Sequence, residues 1–255
     1  MTKYALITGA TSGIGREMAI YLHRLGWQLV LSGRNETVLR QMAARFGKGT
    51  KYLALDLAKP DAPQKLYAFC KGTRIDMLVN NAGFGVFGSF TDSSLDAELE
   101  LIDVNIRALH ILMKLFLKDM VARDSGIILN TGSIAGFATG PMLSSYYASK
   151  NYVVRMTTAV REELRRKGSH VTVSVLCPGP VDTNFNNRAG VTFSVKPANP
   201  AMVAQYGIDR ALEGRCIIIP TLAVKLGIAA VKLCPEELAA RVIYIVQKRK
   251  EKTSR

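Results

Sequence analysis

Along this chain, short runs that are almost wholly apolar alternate with longer stretches whose apolar residues recur every three or four positions. The short runs are Tyr4–Thr8, Gln28–Ser32, Tyr52–Leu55, Met77–Asn80, Gly126–Asn130, Val171–Leu176 and Cys216–Ile219. A strand buried on both faces gives an unbroken apolar run, so these predict a parallel sheet covered on both sides. The stretches with helical spacing are Ile14–Leu25 before Gly26, Glu36–Phe46 before Gly47, a long one over Leu95–Met120, and Ala148–Arg166 before Gly168. Strand–helix–strand units of this length cross over right-handed and place helices on both faces. The expected fold class is therefore α/β, a three-layer αβα sandwich around a doubly wound parallel sheet of about seven strands. Neither a repeat nor a linker divides the chain, so one domain over 1–255 is expected. Residues 184–200 break the rhythm with Asn184, Asn186, Asn187, Gly190, Pro197, Asn199 and Pro200. The segment 184–212 reads as a substrate-binding loop or lid. The basic tail from Lys248 is expected to fray into solvent.

The 255 residues, 48% hydrophobic and 21% charged, suffice for one large core and exclude a disordered chain. The formal net charge of +14 favours anionic partners at low salt without naming one. No zinc finger or stacking-aromatic motif accompanies it, so no specific nucleic-acid partner is expected. Cys70, Cys177, Cys216 and Cys234 show neither close pairing nor metal-ligand spacing. The chain becomes strand-like almost at once, leaving no room for a leader, and a reducing, cytoplasmic setting is the expectation. No apolar run reaches the roughly 20 residues of a membrane-spanning helix. Pro220, Lys225 and Lys232 interrupt the nearest case, Cys216–Cys234.

The first strand runs into Thr8-Gly9-Ala10-Thr11-Ser12-Gly13-Ile14-Gly15 and then a helix. Strand, glycine-rich turn and helix together form a dinucleotide site. Gly9 permits the turn, Gly13 lets the backbone approach a diphosphate, and Gly15 lets the helix pack on the sheet. The diphosphate meets N–H groups at the helix start. The second strand ends in Gly33-Arg34, where an acid would bind the adenosine ribose hydroxyls. Arginine instead suits a phosphate, which predicts NADP(H). Asp56, next to Leu57 past the third strand, is either at the adenine edge or the N-cap of the next turn.

In order, the chain also carries Asn80-Asn81-Ala82-Gly83, Asn105, Ser133, Tyr146-Tyr147-Ala148-Ser149-Lys150 and Pro178-Gly179. With the glycine turn and Asp56, these make the sequence resemble the short-chain dehydrogenase/reductase family over nearly its whole length. The resemblance implies a Rossmann-like fold and NADP(H)-dependent exchange between a ketone or aldehyde and an alcohol. It makes Tyr146 the proton donor or acceptor and Ser133 the group that orients the carbonyl. It makes Lys150 the holder of the nicotinamide ribose, and Asn105 the anchor of a water relay. An unperturbed tyrosine titrates near 10, and Lys150 one helical turn away is expected to lower that value. Tyr147 is the rival, but only Tyr146 fits the family register. The resemblance sets Asn81, Ala82 and Gly83 against the cofactor, with Pro178, Gly179, Val181 and Thr183 framing the carboxamide. No metal is expected. His23, His110 and His170 read as structural or surface residues. The family usually forms dimers or tetramers through its long helices, so a homodimer or homotetramer is expected.

Phe84, Phe87, Phe137, Met142, Leu143, Phe185 and Phe193 suggest an apolar pocket for a steroid, a lipid-like ketone or an acyl chain. The substrate set is Ser133, Phe137, Met142, Leu143, Tyr146 and Phe185. Three other readings stay open. They are an epimerase, dehydratase or C=C reductase, a non-catalytic NADP-binding protein, and a membrane-surface protein suggested by the basic and apolar C-terminal segment.

Overall fold

The computed structural model describes residues 2–183 and 197–253. Seven strands form one parallel sheet: β1 (Tyr4–Thr8), β2 (Gln28–Gly33), β3 (Lys51–Ala54), β4 (Met77–Asn80), β5 (Ile127–Thr131), β6 (Thr172–Leu176) and β7 (Ile217–Ile218). Their order is β3-β2-β1-β4-β5-β6-β7. The expected architecture is therefore present, down to the strand number. The order reverses between β1 and β4, where Ile7 pairs with Leu31 on one side and Val79 on the other. Ligands of open α/β sheets bind in the crevice at such a switch point.

The first helices are α1 (Gly13–Arg24), α2 (Glu36–Phe46) and α3 (Ala62–Phe69). Asn35 caps α2 by accepting the Val38 N–H, as its place before Glu36 favours. The stretch Leu95–Met120 is not one helix. It comprises α4 (Leu95–Ile102), a π-helical turn over Asp103–Ala108, and α5 (Leu109–Ala122). The chain then continues through a short 3₁₀ turn over Ile134–Phe137 and α6 (Ser144–Arg166). Helix α6 starts four residues earlier than the pattern suggests, so Tyr146 and Tyr147 lie inside it.

The remaining described helices are α7 (Pro200–Leu212), α8 (Leu222–Leu233) and α9 (Glu236–Thr253). Two expectations change here. Residues 200–212 belong to no loop, because Val203, Ala204 and Ile208 are buried in the same core as Met18 and Leu22 of α1. The apolar spacing inside α7 drives that packing. The tail does not fray at Lys248, since α9 runs to Thr253. Ahead of α7, a parallel bridge joins Val181 to Ala198, and the Asp182 N–H donates to the Ala198 carbonyl at 3.0 Å. Phe185 and Phe193 lie outside the described residues.

Candidate active site

A cavity of about 650 Å³ opens along the C-terminal ends of β1, β4 and β5. It runs from Gly33, Arg34 and Glu100 past the glycine turn to Ser133, Leu143, Tyr146 and Val246. Its floor is held by one hydroxyl. Thr8 Oγ1 donates to the Val79 carbonyl at 3.3 Å and accepts the N–H groups of Asn81 (3.0 Å) and Ala82 (3.1 Å). The Asn81 amide donates back to the carbonyls of Thr8 (3.1 Å) and Gly9 (3.3 Å). Strands β1 and β4 are thus tied where their order reverses.

The glycine turn is built for close approach. Gly13 has φ +54°, a left-handed backbone that favours glycine. A Cβ at Gly15 would collide with the Asn81 amide and the Gly9 carbonyl. Ser12 stands at the N-cap of α1 without making a side-chain cap bond, and the first turn holds no acid. Helix N–H groups therefore open on the cavity, as a bound anion requires. A dinucleotide fits these residues. Its diphosphate could lie at Thr11–Gly15, with Asn81, Ala82 and Gly83 beneath it and Pro178, Gly179, Val181 and Thr183 beyond. All of these but Gly15 line the cavity, and so do Asp56 and Leu57. Asp56 also takes its alternative role, accepting the Ala58 N–H at 3.1 Å. Arg34 is at the far end, 3.5 Å from Glu100 Oε1.

At the other end, Ser133 and Lys150 are buried, and Tyr146 keeps part of its surface on the cavity. Ser133 Oγ accepts the Ala135 N–H at 3.1 Å and is hydrogen-bonded to the Tyr146 hydroxyl. Lys150 Nζ donates to the Thr131 carbonyl at 2.8 Å and lies 5.8 Å from the centre of the Tyr146 ring. The expected lowering of the tyrosine pKa is not found. Burial pushes the Tyr146 hydroxyl up to about 12, against the pull of Ser133. The same burial lowers Lys150 to about 8, which weakens the charge that was to stabilise a tyrosinate. Desolvation outweighs the helical neighbour.

Asn105 sits in the π turn and is buried. Its Oδ1 accepts the Phe84 N–H at 3.1 Å. Its Nδ2 donates to the Phe84 carbonyl (2.9 Å) and to Ser149 Oγ (3.0 Å). It clamps the loop after β4 to the residue preceding Lys150.

The predicted residues Ser133, Leu143 and Tyr146 meet at one wall, but Phe137 and Met142 do not join them. Phe137 packs into a core with Leu109, Val153 and Ile228, because its 3₁₀ turn faces α6 and α8. Met142 has φ +68°, and its carbonyl accepts the Gly88 N–H at 2.9 Å. Its position inside a turn turns the side chain away from the cavity walls. Sequence reasoning missed Glu100, Val104, Ile134, Val246 and Gln247, all of which line the cavity. Gln247 Nε2 donates to the Tyr147 hydroxyl at 3.2 Å, so α9 closes over the α6 tyrosines. Glu100 and Gln247 were within reach of the pattern only as polar residues on otherwise amphipathic helices.

The short chain dehydrogenase family model matches residues 3–192. The chain belongs to the short-chain dehydrogenase family. Such proteins are oxidoreductases whose Rossmann-like fold binds nicotinamide cofactors. Among its relatives, a very-long-chain 3-oxoacyl-CoA reductase of Mycosarcoma maydis is 37% identical over 183 residues, 68% of this chain and 52% of that protein. The chain thus matches about half the length of that fungal relative. A 3beta-hydroxysteroid dehydrogenase of Mediterraneibacter gnavus is 31% identical over 253 residues, 95% of this chain and 87% of that protein. Among solved structures, a short-chain dehydrogenase from Sphingobium yanoikuyae in complex with NADPH has a TM-score of 0.82 at 29% identity, covering 90% of this chain and 92% of the other. One from Burkholderia phymatum in complex with NAD has a TM-score of 0.81 at 26% identity, covering 89% and 92%. Among the described residues, no helix of this chain is long and apolar enough to cross a membrane.

Proposed function

We propose that this dehydrogenase is an NADP(H)-dependent reductase that interconverts a ketone or aldehyde with an alcohol on an apolar substrate. The observation that carries the reading is one cavity with Arg34 at one end and Ser133, Tyr146 and Lys150 at the other. NADPH, when bound, supplies the hydride. Arg34 and the N–H groups of α1 hold its phosphates, and Lys150 takes the ribose hydroxyls. Ser133 orients the substrate oxygen and stabilises the charge that develops on it. Tyr146, held protonated by burial, delivers the proton to that oxygen. Asn105 positions the turn that carries Lys150, and the proton relay assigned to it rests on the backbone of its π turn. Ile134, Leu143, Val246 and Phe84 supply the apolar wall. One domain spans the chain, and residues 184–196, which lie outside the described residues, contribute to substrate binding. Exposed Leu95, Leu99, Val121 and Tyr152 on α4, α5 and α6 suit assembly as a homodimer or homotetramer.

The test is NADPH oxidation by the purified chain over small ketones, steroid ketones and 3-oxoacyl thioesters. Turnover is expected with the bulky apolar ketones or thioesters and to collapse in Tyr146→Phe. No NADPH-dependent turnover across the three classes, or turnover unaffected by that substitution, overturns the reading.

A further inference from the structure

The two last helices present their apolar residues the wrong way round for a surface in water. In α8, Val224 and Ile228 pack inward, with Ile228 buried in the core around Phe137. On the opposite face, Leu222, Leu226 and Leu233 are 70%, 64% and 88% exposed. Their spacing, with Ala229 and Ala230 between, makes one helical stripe. In α9, Ala239 and Gln247 are buried on the inner face. Glu236 accepts the Thr139 hydroxyl at 2.7 Å, so α9 is anchored to the body at its first residue and at Gln247. Its outer face carries Leu238, Val242 and Ile245, each at least 49% exposed, and Val246 lies at the edge of that face toward the cavity. Exposed apolar residues repeated along two consecutive helices mark an interaction site rather than scatter.

Charge says what the partner is. From Leu222 to Arg255 the chain holds eight Lys and Arg against three Glu. Exposed Arg241 and Lys248 flank the α9 stripe, and exposed Lys225 flanks that of α8. A second copy seated on this face would bring like charges together. An anionic lipid surface would meet the cations at its headgroups and the leucines at its acyl boundary. Neither helix needs to cross a bilayer for this.

We infer that the outer faces of α8 and α9 dock this protein on an anionic membrane surface. The stripe ends at Val246, which also lines the cavity beside Gln247. The docked face therefore adjoins the substrate end of the site. Docking stands apart from the catalytic reading, because it is measured without turnover.

The full chain is floated with vesicles of phosphatidylcholine, with or without phosphatidylglycerol, across a salt series. Binding to the anionic vesicles is expected, weakening with salt. The combined substitution Leu226→Glu, Leu233→Glu, Leu238→Glu and Val242→Glu should lower it by about tenfold or more. Leu25→Glu, the same chemistry at an exposed leucine just past α1, should leave it unchanged. Circular dichroism checks that the variants are folded, and the exposed single variant Leu233→Glu serves if the combined one is not. Three results would each overturn the inference: no binding to anionic vesicles, equal loss in Leu25→Glu, or a stripe variant that only splits an oligomer into smaller species on size exclusion.

Discussion

Arg34 offers the sharpest test of cofactor preference, because the structure already gives it a partner. Its guanidinium lies 3.5 Å from Glu100, with the two side chains 54% and 38% exposed. An ion pair that open to water contributes at most about 1 kcal/mol. A charge-assisted contact with the 2′-phosphate of NADPH would contribute about 1.5–3 kcal/mol. The phosphate must compete with Glu100 for the same arginine, so with the full ion pair subtracted the net gain is about 0.5–2 kcal/mol, or roughly 2–30-fold in Kd. Arg34→Ala should weaken NADPH by that factor and leave NADH within about twofold. Glu100→Gln removes the competitor and a like charge beside the phosphate. It should tighten NADPH by up to about fivefold, again without effect on NADH. Fluorescence titration of both reduced cofactors against the three proteins reads this directly. The reasoning is refuted if Arg34→Ala weakens both cofactors equally, or if Glu100→Gln weakens NADPH.

Tyr146→Phe should keep NADPH affinity and lose roughly 10²–10⁴ in turnover, whereas Tyr147→Phe, which only removes the acceptor of the Gln247 amide, should stay within a few-fold. Steady-state rates at saturating NADPH decide between the two tyrosines. Lys150 keeps its proton in the folded chain only below about pH 8, against 10.5 for an ordinary lysine. NADPH affinity should therefore fall as pH rises through about 8, and binding between about 8 and 10.5 should take up a proton. Calorimetry in two buffers of different ionisation enthalpy measures that uptake, which should vanish in Lys150→Met. In the same window the unfolded chain binds more protons than the folded one, so Lys150 by itself makes stability rise with pH. Asn130 is fully buried, accepting from Asn80 Nδ2 at 3.0 Å and donating to Thr157 Oγ1 at 2.9 Å. Asn130→Ala should cost about 2–4 kcal/mol in urea unfolding, since it strips partners from two buried groups.

The sheet was legible because burial on both faces leaves continuous apolar runs, as in Leu29–Leu31 and Met77–Val79. The glycine turn was legible because its chemistry is local: Gly13 and Gly15 answer to backbone angle and close approach. What the pattern could not show depends on packing. An aromatic such as Phe137 has the same periodicity whether it faces a ligand or a core, and here α8 claims it. Val246 and Gln247 lie about a hundred residues beyond Tyr146, and only the return of α9 over α6 brings them to the site. The pKa of Tyr146 followed burial, which spacing to Lys150 cannot reveal. The break in Leu95–Met120 escaped detection because a π turn changes hydrogen-bond register without changing composition.

That turn makes chain length itself a constraint. Removing any single residue from Asp103 to Ala108 would let the segment wind as continuous α-helix with its backbone bonds intact. Everything on one side would then rotate by about 100° relative to the other. Either Asn105 would swing off Phe84 and Ser149, or Leu109, Leu112 and Met113 would swing out of the core. The partly exposed Asp103, Ile106 and Arg107 remain open to exchange for other residues. Homologous chains are therefore expected to vary in letters across these six positions while keeping their number.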